Sequence, residues 1–142
     1  GPLGGILAAL EWAHAREPAI EWVVSVPGDT PFIPGDLVDR LHAGRRLAGG
    51  HAACAASGGR IHPAVGLWSV SLRDGLRETL RSETTRSVLA WARSQGLAEV
   101  EWPGGRIDPF FNVNTSADLA AAQSLLHRIG APTGGNGGDD RP

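Results

Sequence analysis

The run Ile20-Glu21-Trp22-Val23-Val24-Ser25-Val26 leads directly into Pro27-Gly28-Asp29-Thr30-Pro31. The run is β-branched and short enough for a buried strand, and the Pro and Gly that follow force the chain to turn. Upstream, Ile6, Leu7, Ala9, Leu10 and Ala13 recur at helical spacing from Gly4 to Glu17, and Pro18 stops the pattern. Downstream, a new helical pattern starts near Pro34 and carries Leu37, Val38 and Leu41 on one side. Helix, strand, acidic loop and helix in that order predict a layered α/β domain.

The remainder of the chain continues the alternation. From Leu47 to Ser57 the residues are small and apolar, and Gly58-Gly59 turns the chain into Ile61 to Val70, which suggests two strands. Leu72, Leu76 and Leu80 recur every four residues, and Val88, Leu89 and Ala92 continue a second helix that Gly96 ends. A short strand, Ala98 to Trp102, precedes the Pro103-Gly104-Gly105 turn. Phe110 to Val113 reads as a brief extended piece, and a last helix runs through Leu119, Ala122, Leu125 and Leu126 with Thr115 or Ser116 as its N-cap. Beyond Ile129 no apolar period survives, so residues 131–142 are expected to be a disordered tail behind a single domain at 1–130. No internal repeat is evident.

Composition removes several classes of function. The 142 residues carry a formal net charge of −2, which gives no basic field for a nucleic-acid backbone. All 13 basic residues are arginine, and lysine, tyrosine and methionine are absent. The single cysteine, Cys54, excludes an internal disulfide and any multi-cysteine zinc site. No apolar stretch approaches the roughly 20 residues that cross a bilayer, and the start lacks the features of a signal peptide. The expectation is therefore a cytoplasmic protein in a reducing compartment, with no nucleic-acid or membrane partner. Without methionine, Gly1 is not a translation start, so the chain is read as part of a longer one.

Asp29 is the first candidate for chemistry. In open α/β sheets ligands bind at the carboxyl ends of strands, where a carboxylate can hold a hard divalent ion that bridges to phosphates. On spacing alone a second reading stays open, in which Asp29 caps its own turn by bonding the backbone two residues on. Asn112 and Asn114 alternate along an extended piece, so both face one way and can offer amide donors and acceptors, or else they form an Asx turn and helix cap. His62 stands before Pro63 at a strand entry, where a structural role competes with phosphate binding. The five histidines show no metal-ligand spacing.

The stretch Val26-Pro27-Gly28-Asp29-Thr30-Pro31-Phe32-Ile33-Pro34 resembles the strand-to-loop motif of the molybdenum cofactor guanylyltransferases. Three further stretches agree with that family in order and spacing: Gly1-Pro2-Leu3-Gly4-Gly5-Ile6, His62-Pro63-Ala64-Val65-Gly66-Leu67 and Phe110-Phe111-Asn112-Val113-Asn114-Thr115. The resemblance runs from Gly1 to about Leu126. It implies a Rossmann-like, glycosyltransferase-A-type nucleotidyltransferase fold with a mixed, mostly parallel sheet, here without its N-terminal strands. It also implies transfer of GMP from GTP to molybdopterin, with pyrophosphate released and Mg2+ as cofactor. By the same resemblance Asp29 binds magnesium and nucleotide, and Gly1 and Gly5 let the backbone pass near the nucleotide. Asn112 and Asn114 then line the active site, with His62, Arg60 and Arg86 as candidates to meet the molybdopterin phosphate. Molybdoenzymes or their chaperones become possible partners for the product.

The departures from the family pattern set further expectations. The glycine-rich loop whose arginine and lysine cradle the triphosphate is absent, as is a second aspartate upstream of Gly1-Pro2-Leu3, and Gly28 replaces a cysteine. A chain without that loop is expected to transfer little GMP alone and to expose the edge of its first strand around Val23. Rival readings are a cytidylyl- or sugar-nucleotidyltransferase, since the base is chosen by the absent segment, and a noncatalytic module that holds molybdopterin.

Overall fold

A computed structural model describes residues 2–82, 87–105 and 107–130. Helix α1 (Pro2–Arg16) is followed by β1 (Trp22–Ser25), α2 (Leu37–Ala48), β2 (Ala52–Ser57) and β3 (Arg60–Ser69). A short 3-10 turn (Val70–Leu72) leads into α3 (Arg73–Arg81), α4 (Val88–Ser94), β4 (Leu97–Trp102) and α5 (Ser116–Gly130). Gly1, Arg86 and the expected tail at 131–142 lie outside the described residues.

The four strands form one sheet in the order β1-β3-β2-β4. Strand β3 pairs antiparallel with both β1 and β2, whereas β2 and β4 pair in parallel. Strands β1, β2 and β4 therefore point the same way and β3 alone runs against them, which makes the sheet mixed. Helices cover both faces. Leu3, Ile6 and Leu10 of α1 pack with Trp68, Leu76, Trp91 and Ala92 on one side. Leu37 and Leu41 of α2 pack with Ala53, Leu67, Ala98, Trp102 and Phe110 on the other. The two-residue period of a strand explains the division, since Ala52 and Trp68 enter the first core while their neighbours Ala53 and Leu67 enter the second. Every residue of β2 is buried, as expected of a strand covered on both faces.

The structure corrects the sequence reading at Leu47, which belongs to α2 and is 91% exposed. Gly49 ends that helix in the left-handed region, at φ 66°, with its N–H on the carbonyls of Arg45 and Arg46. Residues 111–114 form no strand; among the described residues one backbone bond, from Val113 N–H to the Asp29 carbonyl at 2.7 Å, joins them to the loop after β1. Thr115 caps α5 by accepting the Asp118 N–H at 3.0 Å, while the Asp118 carboxylate accepts the N–H groups of Asn114 and Thr115. The cap thus uses no asparagine side chain. Val23 and Val24 lie on an edge strand, as expected, because β1 pairs only with β3 among the described strands.

Cys54 sits fully buried in the middle of β2. Burial pushes its thiol up to about 12, with the nearby Glu99 adding to the shift and Arg93 opposing it. Disulfide-exchange reagents at neutral pH should therefore modify Cys54 only in denaturant, a difference that thiol titration with and without urea reads directly. The unfolded thiol ionises near 9.0, where the folded one stays protonated, so stability should fall as pH rises through that value toward 12.

Candidate functional site

The shared direction of β1, β2 and β4 brings three segments to one edge of the sheet: the 26–36 loop after β1, Ser57 at the end of β2, and the 103–115 segment after β4. The start of β3, with Arg60 and His62, lies at the same edge because β3 runs the other way. The ladder between β2 and β3 breaks after Cys54, which pairs with Gly66, whereas Ala55 pairs with His62. Pro63 falls inside that break, where it has no N–H to give to a ladder. Freed from pairing, residues 63–65 form, with His62 beside them, one wall of a cleft of about 530 Å³.

Arg60, His62, Asn112 and Asn114 all line this cleft, together with Pro27 and Asp108. The loop after β1 holds the Asn112 segment in two places. Besides the backbone bond from Val113 to Asp29, the buried Thr30 hydroxyl donates to Asn112 Oδ1 at 2.8 Å. With Oδ1 engaged, the NH2 group of Asn112 is the donor left for a ligand.

Asp29 and Gly5 do not line that cleft. Asp29 borders a neighbouring depression with Pro31, Val113 and Leu119, and Gly5 borders an apolar groove between α1 and β1. The groove shares Pro27 and Ala64 with the main cleft, so the loop at 27–29 stands where all three hollows meet. Among the described residues nothing donates to the Asp29 carboxylate, in contrast to the turn-capping reading. The donor set suits a hard cation only in part. Among the described residues there is no group of three or more His, Cys, Asp or Glu, so an ion beside Asp29 would draw most of its oxygens from phosphate and water, the arrangement magnesium favours.

Three residues at this edge carry bonds that sequence reasoning did not assign: Thr30, Ser57 and Asp108. Ser57 Oγ lies 2.8 Å from His62 Nε2 and 2.8 Å from Asp108 Oδ1, and Asp108 Oδ1 also accepts the Phe110 N–H at 2.9 Å. Burial holds the His62 pKa below its ordinary value, with Arg60 acting the same way and Asp108 and Glu101 opposing. The Phe110 ring rests 5.0 Å from the His62 ring.

A mixed α/β sheet with loops gathered at the carboxyl ends of its strands, and a polar cleft beside the loop that carries Asp29, define a ligand-binding domain of the open α/β class. The chain belongs to the MobA-like NTP transferase domain family, whose model matches residues 1–100. A molybdenum cofactor guanylyltransferase of Nitrobacter hamburgensis is 48% identical over 125 residues, which are 88% of this chain and 60% of that protein. One from Rhodopseudomonas palustris is 46% identical over 128 residues, 90% of this chain and 60% of that protein. The chain therefore spans about 60% of the length of these relatives. Among solved structures, molybdopterin-guanine dinucleotide biosynthesis protein A of Archaeoglobus fulgidus matches with a TM-score of 0.66 at 22% identity, over 89% of this chain and 63% of that one. A Thermus thermophilus 2-C-methyl-D-erythritol 4-phosphate cytidylyltransferase matches at 0.60 and 22%, over 88% and 69%. Both likenesses concern the fold. Among the described residues no helix is long and apolar enough to cross a membrane.

Proposed function

We propose that this chain is the carboxyl-side portion of a magnesium-dependent guanylyltransferase that moves GMP from GTP to the terminal phosphate of molybdopterin. The observation that carries the proposal is the clasp between the loop after β1 and the Asn112-Val113-Asn114 segment, which holds Asp29 in the hollow next to the cleft that the two asparagines line. Relatives at 46–48% identity that bear the name molybdenum cofactor guanylyltransferase support this reading.

In this proposal Asp29 holds the ion, and a bound Mg2+ supplies neutralisation of charge on the phosphate oxygens. The chain's own residues position the acceptor. Asn112 offers its NH2 group to the cleft because Thr30 occupies its oxygen, and Asn114 and Arg60 add donors that line the same cleft. The molybdopterin phosphate is already an anion, so the displacement at the α-phosphorus of GTP needs placement and charge stabilisation and no general base. GTP is the nucleotide, CTP the competitor to exclude, and molybdoenzymes or their chaperones the receivers of the product, in the cytoplasm.

The test joins the amino-terminal part of the Nitrobacter hamburgensis relative to this chain and measures GMP transfer to molybdopterin with Mg2+. The fusion should transfer GMP and prefer GTP over CTP, and this chain alone should transfer far less. A folded fusion that binds neither nucleotide nor molybdopterin would overturn the proposal.

A further inference from the structure

Ser57 has one hydroxyl hydrogen and two close polar neighbours, Asp108 Oδ1 and His62 Nε2, each at 2.8 Å. An ionised carboxylate can only accept, so the hydrogen goes to Asp108 and the short contact to His62 requires a hydrogen on Nε2. Ser57 is 4% exposed and does not line the cleft, whereas His62 does. We propose that Ser57 and Asp108 are positioning residues that fix the proton of His62 on Nε2 and leave Nδ1 as a hydrogen-bond acceptor for the ligand of the cleft.

The consequence concerns what His62 recognises. A neutral imidazole whose free nitrogen carries a lone pair takes an N–H or O–H donor, such as the edge of an aminated heterocycle, and repels a phosphate oxygen. The charged groups around the ring agree in part: Asp108 and Glu101 favour the imidazolium, while Arg60 and burial favour the neutral ring, and the balance lies with the neutral form. The phosphate of the acceptor is then left to the donors of Asn112, Asn114 and Arg60, which line the same cleft. The inference about the ligand rests on the cleft being the acceptor site; the inference about the proton does not.

Imidazole nitrogen NMR on this chain tests both, because only five histidines contribute. At neutral pH, His62 should show a protonated Nε2 and a bare Nδ1, and added inorganic phosphate should leave that pattern unchanged. Asp108→Ala frees the Ser57 hydroxyl to donate to Nε2 and should move His62 toward the Nδ1–H form, whereas Ser57→Thr keeps the hydroxyl and should preserve the native pattern. A purely structural contact would not shift the tautomer in this way. A native His62 that is doubly protonated at neutral pH, that carries its proton on Nδ1, or that becomes charged when phosphate is added would overturn the proposal, as would an unchanged tautomer in a folded Asp108→Ala chain. The native spectrum decides the first three even where that variant does not fold. None of these readouts depends on GMP transfer, so their failure is separable from failure of the proposed reaction.

Discussion

Asp29→Asn in the fused guanylyltransferase should lower GMP transfer on the order of 10³-fold, about 4 kcal/mol of lost transition-state stabilisation. The substitution keeps the size of the side chain and one acceptor oxygen but removes the negative charge that a hard cation needs. It should leave the melting temperature within about a degree or two, because surface changes that break no bond stay within about 0.5 kcal/mol, and no donor engages the Asp29 carboxylate among the described residues. The backbone carbonyl of Asp29, which does accept from Val113, survives the exchange. Steady-state transfer against Mg2+ concentration, paired with thermal unfolding, checks both halves. Transfer within threefold of native would remove Asp29 from the chemistry, and a large loss of stability would make its role structural.

The elements of this fold were legible where glycine and proline punctuate the chain. Pro18 and the Pro27-Gly28 turn separate segments of different period, Gly58-Gly59 separates two strands, and the structure has its boundaries near all three. Leu47 misled because a helix end and a strand start are both apolar there, and the deciding feature is the left-handed cap at Gly49 rather than the period of Leu47 itself. The insertion of β3 between β1 and β2 could not be read, since register depends on contacts far apart in sequence, such as Val23 with Trp68.

The site divides in the same way. Asn112 and Asn114 announce themselves by local alternation, and His62 by its place at a strand entry. Thr30 and Ser57 act through partners 82 and 51 residues away, Asn112 and Asp108 respectively, and no local pattern marks such pairs. Ser57 in particular closes a run of alanines and reads as one more small residue. Gly1 and Arg86, named from the family resemblance, lie outside the described residues.

Trp68→Ala should cost about 3–5 kcal/mol, a large share of the roughly 5–15 kcal/mol that holds a domain together. Its indole is fully buried, lies 5.6 Å from the ring of Trp91, and donates from Nε1 to Ser25 Oγ at 2.8 Å. That bond ties edge strand β1 to β3, and Ser25 passes it on by donating to the Ala64 carbonyl at 3.0 Å. The indole also dictates its neighbour two residues back: a Cβ on Gly66 would collide with the ring of Trp68. Gly66→Ala should therefore cost about 1–3 kcal/mol by overpacking. The two substitutions must not add. Once Trp68 is alanine the obstructing ring is gone, so Gly66→Ala in that background should be nearly neutral, and the coupling should equal most of its single-mutant cost. Urea unfolding followed by far-ultraviolet circular dichroism on the four members of this cycle, with the 59%-exposed Trp12→Ala as a near-neutral control, measures the coupling. Additive costs would mean that Gly66 is required by its own backbone and not by Trp68, and would break the link between the tryptophan, the β1 edge and the loop that carries Asp29.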